Sequence, residues 1–152
     1  MSETKKIVAA IAFSKYAQDI FDFAARLATD LDARLVVANV INIRDVEAIS
    51  SIESLGYSVD TDEYLKGIKE ERLTQLHEIA AKSGFPKEKL KPVLKVGHPF
   101  DTLMKIIKEE DATMIVIGTK GRTDLEYVLL GSVAEKILRH SPIPVVSFRK
   151  KN

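Results

Sequence analysis

Short apolar runs alternate with longer amphipathic segments along most of the chain. The runs are rich in Val and Ile and show no polar alternation, which is typical of strands that are covered on both faces. They predict five strands, at residues 5–13, 33–41, 91–96, 113–119 and 143–148.

Between these runs, apolar residues recur at helical spacing. They predict helices over residues 15–32, from Asp62 to the Ser83–Gly84 pair, over the segment that begins at Pro99, and over 132–140. Ser14 is placed to cap the first helix, and Gly84 is placed to end the second. Residues 42–61 have weak periodicity, which favours a short helix within an excursion from the fold.

Strands that alternate with helices imply right-handed crossovers and a parallel sheet with helices on both faces. The chain has 152 residues, which is enough to bury a sizeable core, and no linker or internal repeat divides it. We therefore expect a single α/β domain over residues 1–152, built on an open five-stranded parallel sheet.

Composition narrows the range of partners. The 23 basic and 22 acidic residues leave a net charge of +1, which argues against a nucleic-acid or anionic-membrane binder. There are no cysteines, so disulfides, thiolate metal sites and cysteine nucleophiles are excluded. The first apolar run is too short to cross a bilayer. We expect a soluble cytoplasmic protein that binds no nucleic acid and inserts in no membrane.

The segment GTKGRTDLEYVLLGS, residues 118–132, follows the fourth predicted strand and holds three of the seven glycines. Ligands of open parallel sheets bind beyond the carboxyl ends of the strands. Gly118 and Gly121 would let the backbone turn and approach a ligand, and residues 119–130 would cover it as a flap. Gly131 and Ser132 open a helix, whose first N–H groups favour a phosphate. The alternative is that these glycines serve only for turning and capping.

Two familiar phosphate-binding patterns, G-x-x-x-x-G-K-[ST] and G-x-G-x-x-G, do not occur. The pattern that does occur, G-x2-G-x9-G-S, resembles that of ATP-binding universal stress proteins. The runs IVAAIAFS, VANVI, VGHPFDTLMKII and GSVAEKILRHSPIPVVSF extend this resemblance to nearly the full length.

The resemblance implies strand order 3-2-1-4-5, a homodimer through the last strand, 143–148, and ATP as ligand, with or without magnesium. It places adenine and ribose near the first two strand ends and the phosphates at the last helix. The implied binding positions are Ala12, Val40, Ile117, Gly118, Lys120, Gly121, Gly131, Ser132 and Val133. Lys120 is not a fixed family residue, and its charge makes it a candidate phosphate partner.

One position departs from the family pattern. ATP-binding members usually carry P-x-D-x-S at the end of the first strand, whereas Ala10 and Ala12 replace the proline and the acid here and Ser14 remains. A carboxylate at this position would accept hydrogen bonds from the nucleotide, worth about 1.5–3 kcal/mol. Its loss would weaken binding about tenfold to a hundredfold without removing a phosphate site built from backbone groups.

The chain shows no nucleophile–base–orienter set and no histidine spacing that suggests a metal site. A binding or signalling module in the stress response, with an unknown protein partner, is therefore favoured over an efficient enzyme. Slow ATP hydrolysis or autophosphorylation would still fit the resemblance. The alternatives are a member that binds no ATP and acts as a protein-interaction module, which Ala12 supports, and a small phosphoryl or nucleotidyl transferase.

Overall fold

A computed structural model describes residues 5–119 and 131–150. Its strands form one parallel sheet in the order β3-β2-β1-β4-β5, which confirms the expected fold class and strand order. The elements follow in chain order: β1 (Lys6–Ala10), α1 (Ala17–Asp30), β2 (Arg34–Asn42), α2 (Ile43–Ser54), α3 (Thr61–Ser83), a 3-10 turn (Lys87–Lys89), β3 (Leu90–Gly97), α4 (Pro99–Glu110), β4 (Met114–Gly118), α5 (Ser132–His140) and β5 (Val145–Phe148).

The core consists of two apolar layers, one on each face of the sheet. Successive residues of β1 point to opposite faces, so that Ile7 packs with α1 and α3 while Val8 packs with α4 and α5. This double burial explains why the strand sequences lack polar alternation. Small side chains on α1, such as Ala24 and Ala28, are fully buried and bring the helix close to the sheet.

The expected cap of α1 by Ser14 is wrong. The helix begins at Ala17 after the N-cap Tyr16, whose side chain makes no capping hydrogen bond. The Ser14 hydroxyl instead accepts a hydrogen bond from the Tyr16 backbone N–H at 3.2 Å. Serine hydroxyls often accept a hydrogen bond from the backbone N–H two residues further along the chain, which forms a local turn. Since β1 ends at Ala10, residues 11–14 form a loop at the carboxyl end of that strand, which we call the β1 loop.

Helix α2 occupies the stretch for which the sequence favoured only a short helix. It is 12 residues long, none of them is buried, and its N-cap Asn42 accepts from the Arg44 backbone N–H. Helix α3 begins after Asp60, which caps its first turn, and ends at Gly84 in the left-handed conformation, as predicted. In α3 only Leu76 and Ala80 are buried.

Candidate functional site

A cleft of about 660 Å³ lies beyond the carboxyl ends of β1, β2 and β4, bordered by α3 and the start of α5. This is the place where open parallel sheets bind their ligands. All the described residues that the sequence predicted for a ligand site line this cleft, namely Ala12, Val40, Ile117, Gly118, Gly131, Ser132 and Val133. Lys120, Gly121 and all of the predicted flap 119–130 except Thr119 lie outside the described residues.

The start of α5 forms one end of the cleft. Gly131 is the N-cap with φ −69° and ψ 156°, and the first backbone N–H groups of a helix have no partner within the helix. The helix dipole adds partial positive charge at this point, which favours a phosphate or another anion. Ser132 is exposed and is the first helical residue rather than the cap.

Thr119 holds this end of the cleft together. Its carbonyl accepts a hydrogen bond from the Gly131 N–H at 3.2 Å, and its own N–H donates to the Phe148 carbonyl, also at 3.2 Å. One residue therefore joins the end of β4, the start of α5 and the end of β5. The Lys150 ammonium pairs with Asp19 at 3.0 Å, which ties the chain after β5 to α1.

The opposite end of the cleft is formed by the β1 loop, the end of β2 and α3. Ala12 is exposed there, and its methyl group stands where the family pattern has a carboxylate. Two polar residues that the sequence analysis did not single out, Asn39 and Arg72, also line this end. The Arg72 NH1 group donates to Asn39 Oδ1 at 2.8 Å and to the Val40 carbonyl at 3.3 Å.

Both residues carried a signal in the sequence. Asn39 interrupts the apolar run of β2, and it is 3% exposed in the structure. A buried amide requires hydrogen-bond partners, so its presence in the core of a strand indicates a specific polar contact. Arg72 occupies the same helical stripe as Ile68 and Leu76, where an apolar residue would continue the pattern.

A network of charged hydrogen bonds lies near the amino ends of β1 and β3, around Glu110. Glu110 ends α4, and its carboxylate lies 2.6 Å from the Lys91 ammonium and 3.4 Å from that of Lys6. The hydrogen bond from Lys91, followed by that from Lys6, holds the pKa of Glu110 below its ordinary value, although burial acts in the opposite direction. This network lies near the starts of β1 and β3 and is structural.

Within residues 5–119 and 131–150, no group of three or more His, Asp or Glu side chains is arranged to hold a metal ion. In the same part of the chain, no helix is both long enough and apolar enough to cross a membrane.

A parallel sheet with a cleft at its carboxyl edge, and a helix N-terminus opening into that cleft, defines the class of open α/β domains. The model of the universal stress protein family matches residues 3–149. The chain belongs to this family.

Individual relatives agree with this assignment. A putative universal stress protein of Staphylococcus saprophyticus is 33% identical over 146 residues, covering 95% of this chain and 83% of the relative. Universal stress protein MJ0577 of Methanocaldococcus jannaschii is 26% identical, covering 97% and 96%, and its structure matches with a TM-score of 0.79 over 97% of both chains. A universal stress protein from Archaeoglobus fulgidus, solved in complex with dAMP, shares the fold at 24% identity, with a TM-score of 0.64 over 98% of this chain and 100% of that one.

Proposed function

We propose that the protein binds a nucleotide, with ATP as the favoured ligand, and acts as a regulatory module in the stress response. The observation that carries this proposal is the cleft. It brings Gly118 and the helix start at Gly131 and Ser132 to the carboxyl edge of the sheet. These residues belong to the G-x2-G-x9-G-S pattern of the ATP-binding subtype, and a family member of the same fold is known in complex with dAMP.

In this arrangement the phosphates lie beside Gly131 at the start of α5, where Ser132 and Val133 offer backbone N–H groups and the helix dipole is favourable. Ile117 and Gly118 border the middle of the ligand, and the base lies toward Val40. Lys120 and Gly121 are proposed to contact the phosphates from the segment that follows Thr119. Magnesium would enter with the triphosphate, because its oxygens supply ligands that this metal prefers.

A second candidate function is a protein-interaction module that binds no ATP. Two observations favour it: the methyl group at Ala12, and the exposed apolar side chains where α2 leads into α3. Leu55 is 75% exposed and Tyr57 is 66% exposed. Exposed apolar residues of this size mark interaction sites when they are contiguous. Under either function, we propose that residues 1–152 form one domain and that catalytic turnover is at most slow.

We further propose a homodimer through β5. This strand ends the sheet and pairs with β4 on one side, so its other edge is placed to meet a second copy. Sedimentation equilibrium measures the assembly, and a monomer at all concentrations would contradict it.

The cytoplasmic location expected from the cysteine-free sequence stays a prediction.

The substitution Gly131→Val tests the nucleotide site. Gly131 has an extended backbone conformation that valine adopts, and no described atom beyond its chain neighbours lies within 4 Å of an added Cβ. The variant should therefore fold, while its side chain blocks a phosphate from the helix start. We expect Mg-ATP binding, measured by titration calorimetry, to be lost.

Gly67→Val is the matched control. Gly67 lies on α3, outside the cleft lining, and an added Cβ there also meets no described atom. It should bind Mg-ATP like the original protein. ATP binding that survives in Gly131→Val would show that the site is misplaced. If the unaltered protein gives no heat at millimolar Mg-ATP and releases no nucleotide on acid extraction, the interaction module becomes the better function.

A further inference from the structure

Arg72 connects α3 to the end of β2. Its NH1 group donates to two acceptors, Asn39 Oδ1 at 2.8 Å and the Val40 carbonyl at 3.3 Å. Hydrogen bonds from a charged donor are shorter and stronger than neutral ones. This guanidinium therefore links α3 to the end of β2.

Asn39 extends the connection to the β1 loop. Its amide nitrogen donates to the Ile11 carbonyl at 2.7 Å, and the residue is 3% exposed. An amide buried to this degree costs free energy unless it is paired, so the Arg72–Asn39–Ile11 chain is held as a unit. The oxygen of the amide faces α3 and its nitrogen faces the β1 loop, so Asn39 links these two parts of the fold.

The guanidinium also reaches the β1 loop directly. Its central carbon lies 5.9 Å from the centre of the Phe13 ring, within the range of a cation–π contact. Ala12 thus lies between Ile11, which Arg72 holds through Asn39, and Phe13, which Arg72 contacts through its ring. Since Ala12 has no polar side-chain atom, the shape of this loop depends on its neighbours.

We propose that Arg72 is a positioning residue for the half of the cleft that faces away from α5. It fixes the β1 loop and the Val40 backbone in the arrangement that receives the base and sugar of the ligand. This inference rests on the proposed nucleotide-binding function. A positioning role differs from attraction of the phosphates by a positive charge. Charge attraction would act on the triphosphate, and other cationic side chains on the same helix would contribute to it equally.

Three ligands separate the two roles: ATP, adenosine and inorganic tripolyphosphate, each titrated calorimetrically. In Arg72→Met we expect ATP and adenosine to bind about tenfold more weakly, because charged hydrogen bonds are lost, while tripolyphosphate binding is unchanged. Arg72→Lys keeps the charge but loses the planar guanidinium. Its affinities for ATP and adenosine should therefore lie between those of Arg72→Met and those of the original protein. Lys69→Met removes a charge from the exposed face of α3 and should change none of the three.

Amide hydrogen exchange gives a readout that needs no ligand. The Ser14 N–H donates to the Ala12 carbonyl at 2.8 Å within the β1 loop. We expect its exchange to accelerate about tenfold in Arg72→Met and to stay unchanged in Lys69→Met, because opening of the loop becomes easier.

The outcomes are distinguishable. Equal losses for tripolyphosphate and adenosine would overturn the positioning role in favour of a general charge effect, and unchanged Ser14 exchange would overturn it as well. If the unaltered protein binds none of the three ligands, both the nucleotide-binding function and the positioning role of Arg72 in that function are refuted. In that case altered Ser14 exchange would show only that Arg72 orders the loop.

Discussion

The substitution Ala12→Asp restores the acid of the family pattern and measures what its absence does to the cleft. Ala12 is exposed and lines the cleft beside Phe13, so a longer side chain has room. The new carboxylate would face the part of the ligand that carries sugar hydroxyls and base amino groups. These groups are donors, and a carboxylate is an acceptor.

The size of the effect follows from the exposure of the position. A hydrogen bond to a charged group is worth about 1.5–3 kcal/mol when it is well shielded. Since Ala12 is exposed, solvent screens the new charge and the lower end of that range applies, which corresponds to about a tenfold gain in affinity.

Calorimetric titration with Mg-ATP measures the gain, and Ala12→Asn is the matched control. Asparagine has nearly the same shape but no charge, so it should recover less than aspartate. The reasoning would be refuted if Ala12→Asp bound ATP no better than the original protein while the fold, checked by circular dichroism, was intact. A gain of equal size in both variants would show that shape matters and charge does not.

Two further predictions concern stability. Glu110→Gln should lower the free energy of unfolding by about 1 kcal/mol, since a charged hydrogen bond is lost but its partners Lys91 and Lys6 are partly solvated. The folded pKa of Glu110 lies below its ordinary value of 4.5, so its contribution is present above that pH and is lost as pH falls through the folded pKa. Urea titrations between neutral and acidic pH should therefore show a smaller difference between the two proteins at low pH, and a constant difference would contradict the network. Gly97→Ala should destabilise by about 1–3 kcal/mol, because an added methyl group would overlap the Thr102 hydroxyl. Adding Thr102→Ala should recover part of that loss in a double-mutant cycle, and strictly additive costs would show that the overlap is relieved in some other way.

The strands and the last helix could be predicted from the sequence because burial leaves a pattern. Short apolar runs identified all five strands, and Ser132 to His140 was predicted as a helix with the bounds that the structure shows. Strand ends were less predictable. The first apolar run continues through Phe13, but β1 ends at Ala10 because the following residues turn into the cleft.

Helix α2 shows the limit of reading periodicity. None of its residues is buried, so no apolar stripe marks it, and only its N-cap Asn42 identifies its start. In the candidate site, the glycine pattern predicted the end formed by α5. The contribution of α3 was not predictable, because the contact between Arg72 and Asn39 joins residues 33 positions apart. Sequence spacing carries no information on such a pair, except that each polar residue interrupts an apolar pattern.

The hydrogen bonds of Thr119 have a thermodynamic consequence for a dimer joined along β5. Thr119 contacts Gly131 in the cleft and Phe148 at the end of the edge strand, so a single residue touches both the cleft and the strand proposed to form the dimer. If occupancy of the cleft alters the association constant of two copies by some factor, association must alter ligand affinity by the same factor. The concentration of the protein itself would then tune its response to the nucleotide, with no additional component needed.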